Sequence, residues 1–78
     1  MTRMIYEIAK DVRANWKNIY FGAVPYLEAM EQLEVISDNY YLDSAKSIII
    51  YFLSNASTWR GEKAKEIKKE LKSLANIK

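Results

Sequence analysis

Ser47-Ile48-Ile49-Ile50-Tyr51-Phe52-Leu53-Ser54-Asn55 sets six large apolar residues in a row within a chain of 78. Read as a strand, the run is apolar on both faces and needs a neighbouring strand on each side. No other stretch offers a convincing partner, and an unpaired strand leaves its backbone N–H and C=O groups unsatisfied. Intrinsic propensity favours a strand for Ile-Ile-Ile-Tyr-Phe, but the partner argument outweighs it. At 100° per residue, Ala45, Ile48, Ile49, Phe52 and Ala56 cluster on one side with Leu53 flanking, while Ile50 and Tyr51 point elsewhere. The run therefore reads as a helix that is apolar nearly all round, and hence as the central one.

The same wheel organises the flanks. Ile5, Ile8, Ala9, Val12, Trp16 and Ile19 share an arc, which predicts an amphipathic helix from Thr2 to Asn18. Tyr20-Phe21-Gly22 breaks that pattern, and Pro25 suits the first turn of a following helix. Tyr26, Leu27, Met30 and Leu33 then share a face, so a shorter helix is expected to reach Ile36. Ser37-Asp38-Asn39 is turn chemistry, and Asp43 is the expected N-cap of the central helix. Thr58 or Ser57 is the expected cap of a last helix that starts near Trp59, with Ala64, Ile67, Leu71, Leu74 and Ala75 inward. Glu62 with Lys65 and Glu66 with Lys69 are spaced for i,i+3 pairs along it. The expected fold is all-α, a single domain over residues 1–78 built as a compact bundle of three long helices and one short helix.

Composition removes whole classes of chemistry. With neither Cys nor His, disulfides, thiolate chemistry, zinc sites and imidazole catalysis are excluded. The longest apolar run falls far short of the ~20 residues of a membrane span. Glu7 and Asp11 argue against a signal peptide at the start of the chain. A cytoplasmic protein with no membrane association is the expectation. Carboxylates, lysines and tyrosines are the only candidate acids and bases; Glu28 and Glu31 can sit near each other on one helix, but acid–base catalysis needs such groups flanking a pocket with separated pKa values. So small a bundle has little room for one. No glycine-rich phosphate loop or oxygen-rich calcium loop occurs, so no enzyme activity and no cofactor are expected.

Charge is unevenly distributed along the chain. Asn18 to Ala45 holds five acids and no base, whereas Arg60 to Lys78 holds seven bases against three acids. Tyr20, Phe21, Tyr40 and Tyr41 fall in connections bracketing the acidic second helix, and tyrosine is enriched at protein interfaces. The expected protein-binding surface is therefore Tyr20, Phe21, Tyr40 and Tyr41 as aromatic anchors, with Glu28, Glu31 and Glu34 supplying charge. Such a surface could also inhibit by occupying a partner's nucleic-acid site. Lys65, Lys68, Lys69 and Lys72 form a ridge on the last helix, the basis of an alternative reading as a small DNA-binding or regulatory protein. Trp59 either plugs the junction with the central helix or stands exposed as an anchor. Ile50 and Tyr51, turned from the main apolar face, mark a candidate homodimer seam.

In the stretches NWKNIYFGAVPYLEAM (15–30) and DSAKSIIIYFLSNASTWRGEKAKEIKKELKSL (43–74), the chain resembles small proteins encoded in phages and prophages of Gram-positive bacteria. The residues that carry the resemblance include Trp16, Tyr20 to Gly22, Pro25-Tyr26-Leu27, Tyr51-Phe52-Leu53 and Trp59-Arg60-Gly61. The resemblance implies a mobile-element origin and brings no catalytic motif with it. Small accessory proteins of that kind commonly act by binding proteins of the host or of rival elements, an analogy at the level of class.

Overall fold

The run at 48–53 is helical. In the computed structural model, which describes residues 3–77, four α-helices span Ile5–Asn15 (α1), Val24–Met30 (α2), Ala45–Ser54 (α3) and Glu62–Leu74 (α4). A single 3₁₀ turn, Phe21–Ala23, leads into α2. The chain is not all-α. Between α2 and α3 lies an antiparallel hairpin of two short strands, Asn39–Tyr40 (β1) and Asp43–Ser44 (β2), paired Asn39 to Ser44 and Tyr40 to Asp43. Nor are there three long helices, since α1 and α3 have 11 and 10 residues, α2 has 7, and only α4 reaches 13.

Each helix buries the face its periodicity marks. Ile5, Ile8, Ala9 and Val12 of α1 form one buried core with Ala45, Ile48, Ile49 and Phe52 of α3, Leu27 and Met30 of α2, and Ala64, Ile67 and Leu71 of α4. α1 and α3 each pack against both α2 and α4. At one end of this core, Trp16 and Trp59 stack at 5.3 Å and 10°, with Phe52 edge-on to Trp16 at 6.2 Å. Trp59 is thus a plug 4 % exposed, not a free anchor.

Helix boundaries are where the sequence misleads, and each shift has a cause. α1 begins at Ile5, and its predicted start at Thr2 lies outside the described residues. It stops at Asn15, yet Trp16 and Ile19 still pack on the core from the irregular chain beyond it. α2 stops at Met30 rather than Ile36, because the next residues cap another helix. The orphan N–H groups of Ile5 and Tyr6 donate to the carbonyls of Glu34 (2.8 Å) and Leu33 (2.9 Å), while the N–H of Met4 donates to Glu7 Oε1 (2.9 Å). Helical carbonyls at 33 and 34 would point along their own axis and could not reach α1. The bend that frees them is held by Asp38, whose Oδ2 accepts from the N–H groups of Glu34 (2.9 Å) and Val35 (3.1 Å).

The caps of α3 and α4 also differ from expectation. Asp43 lies in β2, and Ser44 is the N-cap of α3, its hydroxyl accepting from the N–H of Ser47 at 3.1 Å. α4 starts at Glu62, not Trp59, because its N-cap Gly61 takes φ 116°, a conformation that glycine alone adopts cheaply. Neither Ser57 nor Thr58 caps it. Lys63 of α4 instead ties it to α1, and Glu70 ties it to Arg3 just ahead of α1. Arg3 reaches Glu70 (2.6 and 3.0 Å) and Asp11 (3.1 Å), and Lys63 reaches Asp11 (3.4 Å). The expected Glu62–Lys65 and Glu66–Lys69 pairs are absent from the ion pairs of the described residues.

Phe52 is fully buried between the Trp16 edge and the apolar faces of the helices around it. Phe52→Ala should cost about 3–5 kcal/mol, a large part of the roughly 4–12 kcal/mol expected for a domain of this length. A urea titration checks this, and a loss below about 1 kcal/mol would contradict the placement of α3.

Candidate functional site

Two of the predicted aromatic residues meet two of the predicted acids. An open groove of about 530 Å³ runs between the C-terminal end of α2 and the hairpin, lined by Glu28, Glu31, Gln32, Asn39, Tyr40 and Tyr41. Its shape follows from the early end of α2, which lets the chain turn back through Asp38 and present β1 beside Glu28 and Glu31. The hairpin continues into α3 through the N–H of Ala45 donating to the carbonyl of Asp38 at 2.9 Å. Tyr40 is half-buried against the core, and its ring holds Tyr41 edge-on at 4.7 Å and 82°.

The hairpin tip is Tyr41-Leu42, a two-residue loop. Tyr41 has φ 56°, where such loops favour Gly or Asn, and a left-handed non-glycine residue costs about 1–2 kcal/mol. Both tip side chains stand in solvent, Tyr41 87 % and Leu42 fully exposed. Leu42 is an exposed apolar residue that the sequence pattern does not single out. No helical or strand periodicity marks a residue at a loop tip.

The acids differ sharply in their freedom. Arg13 of α1 forks onto Glu31, Nε to Oε2 at 2.8 Å and Nη2 to Oε1 at 2.9 Å. That pair holds the Glu31 carboxyl below its ordinary range, its bonds to Arg13 outweighing partial burial. Arg13 also feels the negative charge of Glu28. The surface is consequently less acidic than the sequence suggests, because α1 carries a guanidinium into it. Arg13 lies 15 positions before Glu28, so charge counting along the chain could not place it here. Glu28 and Glu34 have exposed side chains with no ion-pair partner among the described residues.

Tyr20 and Phe21 do not line this groove. They precede α2, at the end opposite Glu31, where their rings pack at 4.8 Å and Phe21 is 79 % exposed. Gly22 allows that arrangement. A methyl group there would lie 2.6 Å from Tyr20 Cε2 and 2.8 Å from Asn55 Oδ1. Ile50 and Tyr51 stay exposed, at 38 % and 46 %, although the Tyr26 ring of α2 packs on Tyr51 at 5.4 Å.

The lysine ridge is only partly free. Lys68 donates to the backbone carbonyl of Trp59 at 2.7 Å, and burial, with Lys72 and Arg60 nearby, pushes its pKa down. Lys65 and Lys68 share a small groove with Arg60, which Lys69 does not line. Among the described residues no cluster of three or more acids could hold a metal ion, and no helix is long and apolar enough to cross a membrane. Comparisons with protein-family models, with curated proteins and with solved structures give no match for this chain.

The Arg13–Glu31 pair makes a pH-dependent contribution of defined sign. A carboxyl depressed in the folded state stabilises the fold above its ordinary pKa of 4.5, and loses that contribution as the pH falls through the lower folded value. Glu31→Gln should therefore cost up to about 1 kcal/mol at pH 7, since both partners are partly exposed. The gap from wild type should close towards pH 3. Urea titrations at both pH values measure it, and a gap independent of pH would show that the pair contributes nothing.

Proposed function

We propose that this chain is a phage or mobile-element accessory protein that works without catalysis in the cytoplasm of a bacterial host. It binds another protein, and inhibits or modulates it, through the groove between α2 and the hairpin. One observation carries this reading: Glu28, a carboxylate with no ion-pair partner among the described residues, shares an open groove with Tyr40 and with the outward-held Tyr41. An arginine or lysine from a partner's basic segment fits that chemistry. Glu28 would take the charge, and the tyrosine faces would attract the cation. Leu42 at the tip adds an apolar anchor whose burial would stabilise the complex.

The test must separate binding from folding. Glu31→Lys is unsuitable, since it would set a second cation against Arg13. Glu28→Lys and Tyr41→Gly alter exposed side chains only, and glycine relieves the left-handed strain. Tyr41→Gly should leave stability unchanged or raise it by up to about 1 kcal/mol. Each variant should weaken capture of the partner about 30-fold or more, the loss typical of an interface anchor. Affinity capture from host lysate, with mass spectrometry and then titration of the protein recovered, provides the measurement. Undiminished capture by both variants would reject this groove as the binding site.

A further inference from the structure

A second surface, carried by α4 and the end of α1, has the opposite charge. Two grooves meet there. One, of about 500 Å³, is lined by Lys17, Asn18, Thr58 and Arg60 over the edges of the Trp16–Trp59 stack. The other, of about 240 Å³, is lined by Arg60, Gly61, Lys65 and Lys68. Trp59 and Arg60 belong to both, so the grooves form one continuous band. Lys72 extends it along α4, seven residues or about 10 Å beyond Lys65. Lys17, Arg60, Lys65 and Lys72 are exposed, and none forms an ion pair among the described residues. Glu66 lies about 160° from Lys68 around α4 and Glu62 about 60° from Lys65, and neither carboxylate forms an ion pair among the described residues. Burial, and after it the positive charge of Lys72 and Arg60, lowers the pKa of Lys68.

We propose that this band binds the phosphodiester backbone of duplex DNA without reading its sequence. Three observations select that ligand among polyanions. Single-stranded nucleic acid is held by stacking bases on open aromatic faces, but Trp16 and Trp59 are 6 % and 4 % exposed and face one another. An anionic membrane needs an apolar face beside the cations, whereas the apolar face of α4 is buried and no exposed large hydrophobic residue lines either groove. A ridge of separate cations, with the neutral donors Asn18 and Thr58 beside it, matches the regular phosphates of a duplex. Arg60, five residues before Lys65, and Lys17, far from the ridge in sequence, complete the surface, while Lys69 and Lys72 line neither groove.

The test is fluorescence anisotropy of a labelled 20-base-pair duplex titrated with the full chain at 50 to 200 mM salt. Four phosphate contacts give a slope of log affinity on log salt near −3.6, or about a 150-fold loss across that range. Arg60→Gln with Lys65→Gln should halve the slope, reducing the loss to about 12-fold. Lys10→Gln with Lys46→Gln, which changes cations outside the band, should leave both slope and affinity unaltered. Circular dichroism confirms that the variants fold, which is expected because Lys68 and its bond to Trp59 are untouched. No binding at 50 mM salt up to about 100 µM protein would overturn the proposal. So would equal losses in the two double variants, or tighter binding to the matching single strand or to phosphatidylserine vesicles.

Discussion

The N–H groups of Ile5 and Tyr6 need acceptors, and the carbonyls of Glu34 and Leu33 supply them. The rest of the architecture follows from that requirement. A helix start without a side-chain cap leaves its first donors exposed, so the chain some 28 residues further on must cross it in a non-helical conformation. α2 is consequently cut short, the chain bends around the Asp38 carboxylate, and the residues after the bend are left to pair as a hairpin. That hairpin feeds straight into the Ser44 cap of α3. One local deficiency of α1 thereby fixes the length of α2, the entry to α3 and the groove between them.

The two charged surfaces arise from the same packing. α1 contributes to both, through Arg13 at the acidic groove and through Lys17 just past its end at the basic band. The aromatic stack of Trp16 and Trp59 closes the core beneath the basic band and withdraws both rings from any ligand. At the acidic groove the arrangement is reversed. Tyr40 is half-buried as a base, and Tyr41 is turned outward by a backbone conformation unfavourable to its own side chain. Similar residue types therefore serve as core at one end and stand exposed at the other.

These arrangements bear on how the charges should be read. Glu31 and Lys68 look in sequence like equals of Glu28 and Lys65, yet each is engaged, one by Arg13 and the other by the Trp59 carbonyl. Their exposed neighbours remain available. An acidic surface that mimics nucleic acid is weakened by the guanidinium embedded in it, whereas one that grips a single cationic side chain between Glu28 and the tyrosines is not.

Periodicity alone determined which faces of the four helices are buried, because burial on a helix repeats every 3.6 residues and needs no knowledge of the partner. Ile8, Val12, Ile49, Phe52, Ile67 and Leu71 are all buried as their spacing requires. The lack of any partner strand in the sequence determined that 48–53 is a helix, since a buried strand must pair its backbone. Tertiary structure alone decided where α2 ends, that a hairpin follows, that Trp59 is core, and which charged residues are already paired. Each of those depends on a contact between residues far apart in the chain: Leu33 and Glu34 with the start of α1, Trp59 with Trp16, Arg13 with Glu31. Local propensity and spacing carry no record of such contacts, because they come into existence only when the helices pack.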